Sequence, residues 1–257
     1  MPKLLQLPTI KDLYKAGSHF GHLKSRSDAR SKPFVFTYRN KVAVIDLSKT
    51  IKSLETALEI IKENASKGAQ FLFVGTKMQA QGPIKEIADT TDQPYIIERW
   101  PGGLISNFEI VSKTIKKMIA TEKDLAEGKL DHLKKKEHLK IEKDLTKTKR
   151  VFGGLKKLVR KPDVIFLIDA KEESNAVAEA KRSGIPVVAL CDTTSNPREV
   201  TYPIVANDDS IATIKVVLDL VTQAIKTNYK APVVEEGKVD ERVDKVLKKA
   251  PEKIKKG

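Results

Sequence analysis

Two imidazoles stand three residues apart in His19-Phe20-Gly21-His22. Imidazole and carboxylate together can hold a divalent cation. Asp192, Asp208 and Asp209 lie near the expected ends of later strands. One expectation is therefore a single structural divalent metal ion held by His19, His22, Asp192, Asp208 and Asp209. The alternative is structural: the imidazoles satisfy backbone groups beside a sheet, Asp208 caps a helix and Asp209 sits in its first turn.

Phe73-Val74-Gly75-Thr76-Lys77 reads as a strand running into a glycine and a helix start, where backbone N–H groups can cradle a phosphate. It lacks the spacing of a P-loop. A tight turn between strand and helix is the alternative. Arg99-Trp100-Pro101-Gly102-Gly103 follows a weak strand and puts the only Trp beside an Arg and a flexible glycine pair. Arg99 can pair bidentately with a phosphate or carboxylate at a ligand-binding sheet edge. Equally, the segment can be a structural corner with the indole packed inside. Cys191 ends an apolar strand and reads as buried and inert. Ser106, Ser174 and Ser195 lack the context of a nucleophile elbow. No paired carboxylates suggest acid–base catalysis.

Four short apolar runs must position these groups: Val42 to Ile45, Phe71 to Val74, Val164 to Ile168 and Val187 to Leu190. Continuous β-branched and aromatic runs are how strands buried on both faces read. Tyr95-Ile96-Ile97 is a weaker fifth. Phe34 to Thr37 can form a hairpin with the first run across Arg39-Asn40. Helical spacing covers Thr50 to Lys67, Glu172 to Ser183 and Asp208 to Lys226. This alternation predicts an α/β fold, a parallel sheet with helices on both faces in three layers.

Residues 106–158 interrupt that rhythm. Phe108, Val111, Ile115, Met118 and Leu125 follow a heptad interrupted at Glu122, and Ile141, Leu145, Thr148, Phe152 and Leu155 follow a second. Glu127-Gly128-Lys129 between them is a natural turn. The pattern predicts an inserted antiparallel coiled-coil helical hairpin standing away from the sheet. Two amphipathic helices folded back on the body are the alternative. The expected organisation is a basic N-terminal arm at 1–40, an α/β domain at 41–105 and 159–228, the inserted hairpin at 106–158, and a charged, mobile tail at 229–257.

Charge follows the same division. The 257 residues carry a formal net charge of +14. Segments 51–108 and 158–228 total −3, whereas 1–50, 109–157 and 229–257 total +17. Such a distribution favours a polyanionic partner for the appendages, against the plainer reading of solvated faces. The lone cysteine fits a reducing cytosol. No secretory leader or membrane-length apolar run is legible.

Several motifs occur together. They are His19-Phe20-Gly21-His22, Arg39-Asn40 with Ile45-Asp46-Leu47, Gly75-Thr76-Lys77 with Gln79-Ala80, Arg99-Trp100 with Gly102-Gly103, Gly153-Gly154-Leu155, Pro162-Asp163, Gly184-Ile185-Pro186, Asp192-Thr193 and Asn207-Asp208-Asp209. Over roughly residues 5–228 their order resembles that of the bacterial small-subunit ribosomal protein S-two family. The resemblance implies a flavodoxin-like α/β domain with an inserted coiled-coil hairpin. It implies a cytoplasmic, ribosome-bound structural component without enzymatic activity. Its partners would be 16S rRNA, near the junction of head and body, and other small-subunit proteins, including ribosomal protein S-one, which it would help to dock. The segment Ser25 to Lys32 departs from the aromatic-Asn-Pro pattern of relatives, and Pro101 stands where they usually have Leu.

RNA binding would then rest on Lys24, Arg26, Arg30, Lys32 and Arg39 in the arm and on Lys113, Lys116, Lys117, Lys134, Lys135, Lys149 and Arg150 in the hairpin. Lys77 and Arg99 would add to them at the sheet edge. Aromatic content of 5% argues for phosphate contact and RNA shape rather than base stacking. No membrane or small-molecule substrate is expected. The competing reading is an enzyme or sensor holding a phosphorylated small molecule around Gly75, Lys77, Arg99 and Asp192.

Overall fold

The computed structural model describes residues 6–130, 132 and 134–229. The expected tail beyond Tyr229 lies outside them. Five strands form a wholly parallel sheet: β4 (Phe71–Val74), β5 (Tyr95–Ile96), β6 (Val164–Ile168), β7 (Val187–Cys191) and β8 (Tyr202–Val205). Their spatial order is β5-β4-β6-β7-β8. Counted within the sheet this is the 2-1-3-4-5 order of doubly wound folds. The chain reverses direction across the sheet between β4 and β6, and in folds of this order ligands bind at the carboxyl ends of the strands there.

Period-two geometry splits the strand residues between two cores. Phe71, Phe73, Val164, Phe166 and Ile168 face one side. There they pack on α2 (Leu47–Ser66), α3 (Met78–Thr91) and α7 (Ile211–Asn228). Leu72, Val74, Ile165 and Leu167 face the other, against α4 (Phe108–Ala126) and α6 (Ser174–Arg182). Both faces are covered, so β4, β6 and β7 carry no polar residue.

The run Val42 to Ile45 behaves differently from the expectation. It forms β3 (Val42–Ile45), whose burial alternates, and it is absent from the parallel sheet. It is instead the centre of a three-stranded antiparallel sheet between β1 (Phe20–Leu23) and β2 (Val35–Arg39). The expected hairpin is present, and its turn residues Asn40 and Lys41 both have positive φ, 50° and 65°. Ahead of it, α1 (Ile10–Lys15) starts at a capping box between Thr9 and Asp12. The sequence reading gave no element to Tyr202–Val205. Its Pro203 cannot donate to a ladder, and β8 accordingly lies at the sheet edge.

The interruption at 106–158 consists of α4 and α5 (Lys135–Phe152), joined through Gly128 at φ 68°. Val111, Ile115 and Met118 are buried at the base of α4, whereas α5 has no fully buried residue. Glu122, the interruption of the heptad, accepts from Lys149 Nζ and Lys156 Nζ, each at 2.6 Å. The polar residue in the seam thus ties α4 to the end of α5.

Candidate nucleic-acid interface

The crevice between β4 and β6 is filled by the protein's own side chains. Gly75 ends β4, and a Cβ there would lie 2.8 Å from Ile84 Cγ1 and 3.0 Å from Ala80 Cβ. Only glycine lets α3 pack so close. The next residue, Thr76, donates its hydroxyl to Glu173 Oε1 at 2.5 Å and its backbone N–H to the same oxygen at 3.3 Å. A carboxylate therefore occupies the place where a phosphate would meet this turn. Burial pushes the Glu173 pKa up.

Lys77 enters the same crevice. Its ammonium contacts Asp169 Oδ2 at 2.7 Å, Asp208 Oδ1 at 2.8 Å and Asp209 Oδ1 at 2.9 Å. Burial opposes the charged lysine, but the three carboxylates outweigh it and hold the pKa above the ordinary lysine value. Asp208 is fully buried, and burial, followed by repulsion from Asp192 and Asp169, raises its pKa. The expected cap role of Asp208 is corrected: Ser210 caps α7, accepting from Thr213 N, and Asp208 turns inward to Lys77.

His22 adjoins this cluster. Its Nε2 lies 3.3 Å from Asp209 Oδ2, and its Nδ1 is in close contact with Asp192 Oδ2. Those two atoms face each other directly, whereas buried Asp208 Oδ2 has no hydrogen-bond partner. His19 makes its contacts elsewhere, stacked on the Tyr14 ring at 4.3 Å between centroids. Burial lowers its pKa. Among the described residues, no group of three or more His, Cys, Asp or Glu side chains has metal-holding spacing. The structure therefore brings together His22, Asp192, Asp208 and Asp209, and leaves His19 out.

The segment Arg99 to Gly103 is organised by a residue the sequence reading passed over. Glu179 Oε1 accepts from Trp100 Nε1 at 3.2 Å and from Gly103 N at 2.7 Å. Its other oxygen accepts from Ile105 N at 3.1 Å and Ser106 N at 3.4 Å. Burial opposes the ionised form, yet these donors hold the Glu179 pKa below the ordinary range. The structural reading of this corner is the one observed, with the indole packed against the second core. Arg99 itself is exposed. Cys191 is fully buried, and burial raises its thiol pKa, as an inert thiol requires.

The other basic residues differ in how free they are. Lys24, Arg26, Lys32 and Arg39 are exposed on the small sheet and its loops, with Lys24 over the Tyr38 ring at 5.3 Å. Arg30 is held bidentately by Asp28, at 2.9 Å for both contacts, and this pairing lowers the Asp28 pKa to about 2. Arg26, Arg30 and Lys171 line one cavity of about 460 Å³ together with Ser174 at the start of α6. Lys113, Lys116, Lys117, Lys134 and Lys135 are exposed. Lys149 and Arg150 are engaged by Glu122 and Glu98, and Lys77 by its three carboxylates. Those three are paired with carboxylates of the chain itself. Lys136, Lys140, Lys143 and Lys147 escaped the sequence reading, although their spacing of 4, 3 and 4 was visible there. No helix among the described residues is long and apolar enough to cross a membrane.

Comparison with known proteins adds the following. A family model described as ribosomal protein S2 matches residues 13–228. A small ribosomal subunit protein uS2 of Porphyromonas gingivalis is 41% identical over 217 residues, covering 84% of this chain and 77% of the relative. That of Dehalococcoides mccartyi is 42% identical over 221 residues, covering 85% and 90%. That of Coprothermobacter proteolyticus is 40% identical over 217 residues, covering 84% and 81%.

Proposed function

The chain belongs to the ribosomal protein S2 family, a family of structural proteins rather than enzymes, and from that premise we propose that it binds 16S rRNA. In this reading it is a constituent of the small subunit, ribosome-bound in the cytoplasm. The observation that carries the RNA assignment is a contrast. The crevice that would hold a small ligand is filled by Glu173 and by Lys77 with its carboxylates, while the basic groups around it point to solvent. Lys24, Arg26, Lys32 and Arg39 form one basic surface; Lys113, Lys116, Lys117, Lys134 and Lys135 form another on the two-helix insertion. Residues 106–158 act as an appended coiled-coil finger that carries this second surface to RNA. Phosphate neutralisation by such groups gives affinity that falls steeply with salt.

Other small-subunit proteins are the remaining partners, with ribosomal protein S-one among them. The small sheet and α1 expose Ile10, Tyr14 and Phe36 around one apolar groove that His19 also lines. Scattered apolar residues are ordinary on a surface, but a contiguous aromatic group suits a protein partner. Docking of S-one at this face would be weakened by Phe36→Ala.

A second reading concerns one structural divalent ion. The unpartnered, buried Asp208 Oδ2 favours it, with Asp192 and Asp209 both against His22 beside it. Elemental analysis of purified protein tests it: one equivalent of metal, lost in Asp208→Asn, supports the ion, and none in wild type rejects it.

The RNA assignment itself is tested by binding of full-length protein to transcribed small-subunit RNA across a salt series. Affinity that falls linearly on a log–log plot supports it. Salt-independent affinity, or none, rejects it.

A further inference from the structure

We propose that the outward face of α5 is a lysine track for the phosphate backbone of folded RNA, formed by Lys136, Lys140, Lys143 and Lys147. The proposal rests on the RNA-binding reading and specifies which side of the insertion meets the RNA.

At about 100° per residue the four lysines fall within an arc of about 60°. The three acids of the helix, Glu137, Glu142 and Asp144, fall outside that arc. The apolar residues that face α4, Ile141, Leu145 and Phe152, lie on the opposite side, half-buried. All four lysines are exposed, and among the described residues none of them takes part in an ion pair. They line one groove with Leu139 and Asp144 at its margins.

Their neighbours behave differently. Lys123 and Lys129 pair with Glu127, Lys149 and Lys156 with Glu122, and Arg150 with Glu98. Those five cations are balanced locally. On this face Lys136 and Lys140, and again Lys143 and Lys147, are like charges at four-residue spacing, an arrangement that weakens a helix. A bound polyanion removes that repulsion. The track is about 16 Å long, eleven rises of about 1.5 Å. Over that length it lies beside several successive phosphates of one strand. Lysine brings a point charge on a flexible stem and no planar fork, so it suits a backbone whatever the bases.

The test uses full-length protein carrying K136Q/K140Q/K143Q/K147Q, because Gln keeps nearly the helix propensity of Lys. Helicity is checked by circular dichroism. Binding to transcribed small-subunit rRNA is measured across a salt series beside wild type and a control, K52Q/K85Q/K181Q/K226Q, which removes four exposed lysines elsewhere. The log–log slope should fall by about three to four units in the track variant and by less than one in the control. Arginine at the four positions should restore it. Lysine acetylation of the wild-type complex gives an independent reading, in which RNA should protect these four residues. An unchanged slope in the track variant, an equal loss in the control, or acetylation unaffected by RNA overturns the track while leaving RNA binding intact. So does equal competition by polyglutamate of matched charge, which would point to an acidic protein instead. A wild type without salt-dependent binding removes the RNA reading and the track together.

Discussion

Glu179 on α6 grips Trp100 and the backbone that follows it. One buried carboxylate receives the indole N–H and the Gly103, Ile105 and Ser106 amides. A loop containing Pro101 and two glycines has little regular structure of its own, so this carboxylate supplies the acceptors that a helix or sheet otherwise would. Glu179→Gln keeps the volume but turns an amide NH₂ towards N–H donors. It should cost about 1.5–3 kcal/mol in urea unfolding. The Trp100 fluorescence maximum should shift to the red in the folded protein as the indole loses its partner.

The same group fixes a pH dependence. Its folded pKa lies below its unfolded value. Its contribution to stability is therefore complete above the ordinary glutamate range and lost as pH falls through the depressed folded value. The stability gap between wild type and Glu179→Gln should narrow between about pH 5 and pH 3. A gap independent of pH across that window would show that folding leaves the carboxylate's pKa where it is in the unfolded chain.

Lys77 is the cation shared by Asp169, Asp208 and Asp209. Lys77→Met leaves these carboxylates, of which Asp169 and Asp208 are buried, without their cation. The cost should be about 3–5 kcal/mol. Adding Asp208→Asn removes one of the stranded charges and should recover part of that loss, so the two substitutions should couple rather than add. Denaturant midpoints of the four proteins measure the coupling directly.

How much of this was legible in the sequence depends on the range of the interaction. The strands Phe71–Val74, Val164–Ile168 and Val187–Cys191 announce themselves because burial on both faces admits no polar residue. Val42–Ile45 has the same composition but sits in another sheet, since four apolar residues do not encode which neighbours they pair with. Tyr202–Val205 was masked by Pro203, which an edge position tolerates. Of the five residues expected to share a metal, His22, Asp192, Asp208 and Asp209 lie near one another and His19 does not, while Lys77, expected at a phosphate, joins three carboxylates. Distances of 131 and 132 residues separate Lys77 from Asp208 and Asp209, and nothing local encodes such a contact. Glu122 was visible only as a broken heptad, because its lysine partners are 27 and 34 residues away.

Gly75→Ala tests the packing that closes the crevice. The added methyl meets Ile84 at 2.8 Å and Ala80 at 3.0 Å, both on α3. A helix covering a buried strand cannot withdraw without opening the core. Overpacking of this kind should cost about 1–3 kcal/mol. Ile84→Ala removes the Cγ1 that is struck, so the two substitutions should couple favourably rather than add, and thermal melts of the four proteins read the difference.

The distinction between free and committed cations gives the last prediction. Lys32 and Arg39 are exposed on the loops and edge of the small sheet, whereas Lys149 already serves Glu122 at 2.6 Å. A cation that neutralises a phosphate releases counterions when RNA binds; one balanced by a carboxylate within the protein has none to release. Lys32→Ala and Arg39→Ala should each lower the log–log salt slope of RNA binding by about one unit. Lys149→Ala should leave the slope within experimental error. Its effect should appear in stability instead, and there only modestly, because an exposed pair contributes about 0–1 kcal/mol. Slopes measured on the three variants against one RNA separate the classes. Equal losses from Lys149 and Lys32 would mean that the Glu122 pair opens to admit the RNA.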